Sequence, residues 1–308
     1  VLLTNATVLR SVIRPAYIPP SLPSVTNERQ TLLSFGSVGQ LVGYQFTPGA
    51  LSPGSSVQVN LTWRAEQLTT TNYAAAVWFL DSAGRTIAQA HSWPGGGRAP
   101  TSGWRSGQLV RDQYVLAPVW QSSDPQLATV WLSLYDPSVA AGPALPITAA
   151  NGEAIGNGIP LGTIKLAPTT PTESGPSQSS GAHFGSAITL AGFDLAQSPA
   201  ALDVILVWRP TGPVDRSYHV FVHVVDRTGK LVAQHDSPPR GGAYPTDAWS
   251  AGETIHDEHE VSLAGVPPGT YGLQVGLYDP SSGARLPITS VSGQSVADDS
   301  LTITTIER

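Results

Sequence analysis

The chain has 308 residues, with 31 Gly, 27 Pro, no Cys, no Met and only 12% charged residues. A formal net charge of −6, from 16 basic and 22 acidic side chains with no basic cluster, argues against nucleic-acid binding, which needs Lys and Arg to neutralise phosphates. The lack of Cys removes disulfides, thiolate metal sites and Cys nucleophiles, and no apolar run approaches the ~18 residues of a membrane-spanning helix.

At the start, no charged segment leads into an apolar stretch, so no signal peptide is read there. A chain opening on Val1 is expected to be processed or cut from a longer one. Residues 1–34 read as an arm. Val1–Ile13 has strand-like composition, and the Pro-rich stretch from Arg14 to Pro23 then holds the backbone extended.

From Phe35 onward the chain is a duplication. Phe35-Gly-Ser37 and Phe184-Gly-Ser186 open two copies, and Trp63 to Asp112 realigns without a gap on Trp208 to Asp257. Within that match Tyr73 pairs with Tyr218, Gly96-Gly97 with Gly241-Gly242, and Trp104 with Trp249. Further on, Leu134-Tyr-Asp-Pro137 matches Leu277-Tyr-Asp-Pro280, and Leu145-Pro-Ile-Thr148 matches Leu286-Pro-Ile-Thr289. Two domains are expected, at 35–166 and 182–306. The segment 167–181, rich in Pro, Thr, Ser and Gly, lacks the apolar surface to fold and reads as a linker.

Each copy reads as β. Ser56–Trp63 alternates apolar and polar residues with period two, the pattern of a half-buried strand. Tyr73–Leu80 and Tyr218–Val225 are apolar on both faces and read as central strands. Asp81-Ser-Ala-Gly84 and Asp226-Arg-Thr-Gly229 then supply hairpin turns. No window holds a 3.6-residue apolar period. The predicted fold is all-β: two tandem antiparallel β-sandwiches, immunoglobulin-like or jelly-roll, behind an extended N-terminal arm.

Few residues offer chemistry. His219 and His223 stand about 13 Å apart on a strand, too far to share a metal at ~2 Å from each. His256 and His259 point to opposite faces. The repeated carboxylates, Asp81/Asp226, Asp112/Asp257 and Asp136/Asp279, sit at turns or strand ends, where Asp bonds to the backbone. No cofactor is expected, with a structural Ca²⁺ held by turn Asp and carbonyl oxygens left open. Nucleophile-elbow, P-loop and dinucleotide motifs are absent. Pro94–Gly97 and Pro239–Gly242 are Gly-rich, yet no helix comes after them to receive a phosphate. Asn5-Ala-Thr7 and Asn60-Leu-Thr62 fit the glycosylation acceptor pattern, which also arises by chance.

Aromatic side chains are the better binding candidates, because their faces stack on sugar rings. Trp63 and Trp208 read as core. Trp104 and Trp249 end the Gly-rich loops and are expected to pin them to a sheet, with glycan contact as the alternative. Trp78, Trp93, Trp120 and Trp131 have no Trp counterpart in the second copy, so the fold alone does not require them. On the central strand, Val220, Val222 and Val224 share one face, while His219, Phe221 and His223 share the other, where the first copy carries Ala74, Ala76 and Trp78. Trp78, Trp104, His223 and Trp249 are thus the candidate contacts for glycan or a partner protein.

The string Trp208-Arg209, Phe221-Val-His-Val-Val-Asp226, Gly241-Gly242, Pro245-Thr246, Trp249, Gly269-Thr-Tyr271 and Val275-Gly-Leu-Tyr-Asp-Pro280 resembles a known pattern. It is similar to the repeated extracytoplasmic domain at the C-terminus of protein-mannosyltransferase-like membrane glycosyltransferases of green filamentous and related thermophilic bacteria. Val12–Tyr17 with Pro19-Pro20 is similar to the segment just after the last membrane helix in that family. The first copy departs at Ala74–Ala76, at His91 where Asp is usual, and at the insertion Ser138–Pro143. In that family the catalytic carboxylates lie between membrane helices, so the resemblance implies no catalytic residue here. It implies a non-catalytic cell-surface region, joined to the membrane only through a missing segment, that engages glycan or a neighbouring protein. The alternative is a structural subunit of an extracellular sheath, surface layer or filament, homo-oligomeric, with the arm as an inter-subunit strand.

Overall fold

The computed structural model describes residues 28–46, 49–140, 142–169 and 175–308. The expectations for Val1–Pro23 lie outside them. The described residues form two compact all-β units, residues 122–126 belonging with the second.

The first unit contains β1 (Arg29–Phe35), β2 (Gly39–Phe46), β3 (Ala50–Leu51), β4 (Val57–Ala65), β5 (Ala74–Asp81) and β6 (Thr86–Ser92). It continues with β7 (Leu109–Leu116), β8 (Gln126–Tyr135), β9 (Ile147–Ala149), β10 (Ala154–Gly156) and β11 (Ile159–Leu166). One sheet runs β10-β9-β1-β2-β4-β7 and the other β3-β11-β8-β5-β6. The second unit contains β12 (Gln178–Phe184), β13 (Ile188–Gln197), β14 (Ala201–Pro210), β15 (His219–Val225) and β16 (Leu231–Ser237). It ends with β17 (Ile255–Ser262), β18 (Thr270–Tyr278), β19 (Ile288–Thr289) and β20 (Leu301–Glu307). Its sheets run β17-β14-β13-β12-β19 and β16-β15-β18-β20. Strand for strand this is the order of the first unit, which adds only β10 and β3. The first strands, β1 and β12, begin upstream of the Phe-Gly-Ser boundaries read from the sequence. Each carries a bulge, between Gln30 and Leu33 and between Ser179 and Ala182, that re-aims the strand before its apolar end enters the core.

The alternation of β4 sends Val57, Val59, Leu61 and Trp63 inward, where they meet Ala75, Val77 and Phe79 of the opposite sheet in one apolar cluster. In the second unit Trp208, Val220, Val222 and Val224 are likewise fully buried. The aromatic centre is repeated almost atom for atom. Phe35 meets Trp63 edge-on at 5.1 Å, as Phe184 meets Trp208 at 5.1 Å. Trp104 tilts onto Trp63 at 6.4 Å, as Trp249 tilts onto Trp208 at 6.4 Å. The recurring turn Asp residues work as the sequence suggests. Asp81 Oδ1 accepts the Ala83 and Arg85 N–H groups at 3.0 and 2.8 Å, and Asp226 Oδ1 those of Thr228 and Lys230 at 2.8 and 3.0 Å. Gly84 and Gly229 supply the left-handed backbone at φ 76° and 83°.

Replacing Trp63 or Trp208 by Ala empties the meeting point of both sheets and strands a loop Trp, so each change should cost its unit roughly 3–5 kcal/mol. Urea unfolding of the full chain with each substitution checks this, a loss below about 1 kcal/mol being incompatible with the packing.

Candidate functional site

Both Gly-rich loops are held by a carboxylate with no access to water. Asp112 on β7 accepts the Gly96 and Gln113 N–H groups at 3.3 and 3.1 Å and the Tyr114 hydroxyl at 2.5 Å. Burial pushes its carboxyl up to about 6 against those hydrogen bonds, which leaves it ionised at neutral pH. Asp257 on β17 accepts the Arg240 N–H at 2.6 Å and the Trp208 indole N–H at 3.3 Å. Arg240 adopts φ 54° where the first copy has Gly95, a strained geometry that the short bond to Asp257 helps to fix. Beyond the loop, a Thr locks the start of the central strand in both units. Thr101 Oγ1 accepts from Tyr73 N–H at 2.9 Å and Thr246 Oγ1 from Tyr218 N–H at 2.8 Å. The repeated carboxylates are therefore committed to backbone and loop.

Trp104 and Trp249 are removed as ligand contacts. Each is buried, with its indole N–H donated to the Ala99 or Tyr244 carbonyl of its own loop. They pin the loop to the core Trp and reach no ligand. Trp120 is buried as well, its indole N–H on the Ala167 carbonyl. His256 and His259 do point to opposite faces of β17, the first outward and the second inward. The inward one has a partner that sequence spacing does not reveal. His259 Nε2 donates to Asp257 Oδ2 at 2.8 Å, while its Nδ1 lies 3.0 Å from Nδ1 of His235 on β16. A single proton fits between those two nitrogens, so one ring donates and the other accepts. Tyr114 fills the His259 position in the first unit and satisfies Asp112 with a phenol instead. Among the described residues no three His, Asp or Glu side chains gather as a metal site.

The outer face of the β5 sheet is where the two units part. Cross-strand register sets Ala74 opposite Tyr135, Ala76 opposite Ser133, and Trp78 opposite Trp131. In the second unit the same positions are His219 and Tyr278, Phe221 and Gly276, and His223 and Gln274. There the middle of the face is filled, and a cavity of about 1020 Å³ opens beside it on His223, Gln274 and Arg285. Phe221 is buried, His223 lies against it at 4.5 Å, and the Arg285 guanidinium covers the ring at 4.6 Å. Gly276 is obligatory, since a Cβ there would collide with the Phe221 ring. His223 is further held by Asp236 at 3.0 Å, so this candidate contact serves the lid of its own sheet. The first unit has a small residue at each place the plug needs a large one. Ala76 replaces Phe221, and Ala144 replaces Arg285 at the matching bridge to Tyr135.

What results in the first unit is an aromatic trough. Trp78 meets His91 edge-on at 5.7 Å, and His91 meets Tyr135 edge-on at 5.7 Å. Two cavities open beside this row and share Tyr135 as their common wall. One, of about 540 Å³, is lined by Asn72, His91, Ser92, Trp93, Asp136 and Ser138 among others. The other, of about 510 Å³, is lined by Trp78, Trp131, Thr86, Ser133 and Asn157 among others. Both volumes suit a small-molecule site, with apolar walls and a few polar groups. Of the sequence-derived contacts, His223 lines a cavity of the second unit and Trp78 lines the latter of these two. Trp93, Trp131 and Tyr135 join it, and the missing Trp counterparts in the second copy are the sequence signal for the first two.

Burial holds the His91 imidazole down at about 4 in the folded chain, against 6.5 in the unfolded one. As pH falls through that window the unfolded chain takes a proton that the native ring refuses, so stability drains toward the acid side. His91→Gln removes this loss. Relative to wild type, the variant should gain on the order of 2 kcal/mol in the first unit between pH 6.5 and 4, after allowing for the ring's partial exposure. Urea midpoints monitored by Trp fluorescence at several pH values check it, a pH-independent difference counting against the assignment. No protein-family model matches the chain, and no curated protein matches it.

Proposed function

We propose that the chain is a non-catalytic glycan-binding module, displayed outside the cytoplasmic membrane, whose site is the aromatic trough of the first unit. The observation that carries this reading is the contrast between the copies. One sheet face, in one register, carries Phe221 capped by Arg285 in the second unit. Among the described residues of the first unit it carries Ala76 there instead, beside a cavity walled by Trp78, Trp131 and Tyr135. Partly exposed aromatic rings next to hydroxyl and amide groups suit sugar rings, which present an apolar face and a polar rim. The absence of catalysis is supported by the carboxylates, since Asp81, Asp112, Asp136, Asp226, Asp257 and Asp279 all accept hydrogen bonds from backbone amides. The resemblance to the surface region of membrane glycosyltransferases agrees with this role and supplies the proposed location.

Transplanting the plug tests the site without removing any of its rings. Ala76→Phe together with Ser133→Gly reproduces the Phe221–Gly276 pair, and Trp131→Gln, made separately, reproduces Gln274. A glycan array and then calorimetry should show wild type binding, the double variant at least tenfold weaker, and Trp131→Gln also weaker than wild type, with all melting curves retained. Unchanged binding by the folded double variant would place the glycan elsewhere. Light scattering on the same samples tests the structural-subunit alternative, which requires self-association.

A further inference from the structure

Both units close the turn after a central strand with the same carboxylate, but only the second supplies a counter-ion for it. Asp136 follows β8 and Asp279 follows β18. Asp136 Oδ1 accepts the Ser138 N–H and hydroxyl at 2.9 and 2.6 Å, and Asp279 Oδ1 accepts those of Ser281 at 2.8 and 2.6 Å. The other oxygen sets the units apart. Asp279 Oδ2 accepts from the Arg216 guanidinium at 2.9 Å. Thr71 stands at the position of Arg216. The backbone agrees, because the Thr101 hydroxyl donates to the Thr71 carbonyl at 2.7 Å as the Thr246 hydroxyl does to that of Arg216 at 2.7 Å. Threonine brings no cation, and among the described residues Asp136 Oδ2 has no hydrogen-bond or ion-pair partner.

The cavity of about 540 Å³ is lined by Thr71 and Asp136 together, so it lies where the Arg216 side chain runs in the second unit. Trp93, His91 and Tyr135 share its wall. Asp136 is half-buried and Trp93 is 43% exposed, so a solute reaches both. No Lys or Arg lines this cavity among the described residues, and burial keeps the His91 imidazole uncharged at neutral pH. A carboxylate oxygen without its cation, set in an aromatic wall, attracts a positive group in two ways. It accepts a charge-assisted hydrogen bond, and the ring faces favour the cation as well.

Resting on the reading of the trough as a glycan site, we infer that this cavity takes a sugar with a free, protonated amine. The ammonium sits on Asp136 Oδ2, in the place of the Arg216 guanidinium, and the sugar ring lies against Trp93. An N-acetylated or neutral sugar leaves that oxygen to water and gains no charge-assisted bond, so the site selects the amine form of one sugar chain over its acetylated form.

The test is calorimetry on the full chain at about pH 6, where an amino sugar holds its proton and His91 stays neutral. The ligands are hexamers of one linkage: cellohexaose, chitohexaose, and the glucosamine hexamer that chitohexaose becomes on de-N-acetylation. The glucosamine hexamer should bind at least about fivefold tighter than the other two. Asp136→Asn keeps an acceptor for the Ser138 turn and should remove that preference, leaving any cellohexaose binding unchanged. Thr71→Arg carries the Arg216–Asp279 pair into the first unit and should likewise remove the preference, with the melting curve retained. Cellohexaose or chitohexaose binding as tightly as the glucosamine hexamer would overturn the inference while sparing the glycan site. So would a preference that survives Asp136→Asn, since attraction to the net charge of −6 would then account for it. Absence of binding by every sugar would overturn the glycan site itself, and this inference with it.

Discussion

A carboxylate sealed from water, Asp112 in one unit and Asp257 in the other, is the constraint on which the rest of each sandwich depends. A carboxyl group so placed is tolerable only while its oxygens are bonded, and bonds come from the amides of the Gly-rich loop. Fixing that loop also fixes the chain beyond it. The loop Trp is carried onto the core Trp, and the succeeding Thr clamps the start of the central strand. In the first unit the same loop brings Trp93 and Gly97 to the wall of one cavity. The carboxylate therefore reaches from the core to the site through a short run of backbone, with no part in binding.

The duplication makes each unit a standard of comparison for the other. Shared features, such as the Phe–Trp–Trp centre and the Asp-closed turns, are what the sandwich requires. Features found once are free of that requirement. By this standard the row Trp78, His91, Tyr135 and Trp131 stands out, because the equivalent face of the second unit is built from Phe221, His223 and Arg285 instead. Both arrangements bury the middle of the face. They differ in what does the burying, a Phe ring under Arg285 in one and small residues beside Trp, His and Tyr rings in the other.

Much of the fold is legible in the residues alone. The period-two alternation of β4, the Asp and Gly of each hairpin turn, and the ungapped match between copies are local or self-referential signals. The lone Trp residues of the first copy point to its outer face for the same reason. Other features depend on contacts far apart in sequence. Trp104 and Trp249 end polar, Gly-rich loops, a setting that fits a ring pinning its loop to a sheet and equally a ring offered to a ligand. Only the backward fold of the loop onto the buried carboxylate sends those rings inward. The contact of His235 with His259 joins strands of different sheets, and no spacing rule reports it. His223 and Trp78 hold the same position on equivalent strands and both line cavities, yet Arg285 shares the wall of one and Ala144 that of the other, both distant in the chain.

The matched pairs Phe221–Gly276 and Ala76–Ser133 also bear on how a chain with two such similar halves assembles. Tandem relatives can exchange strands during folding, a characteristic failure of repeated domains. Here β15 laid against β8 would drive the Phe221 ring into the Cβ of Ser133, the contact that only glycine at 276 relieves. The converse hybrid, β5 against β18, would set Ala76 beside Gly276 and leave a void where a ring belongs. Each central strand thus recognises its own neighbour by volume, and the divergence that set a Phe on one face and small residues on the other doubles as a lock against misassembly of the two halves.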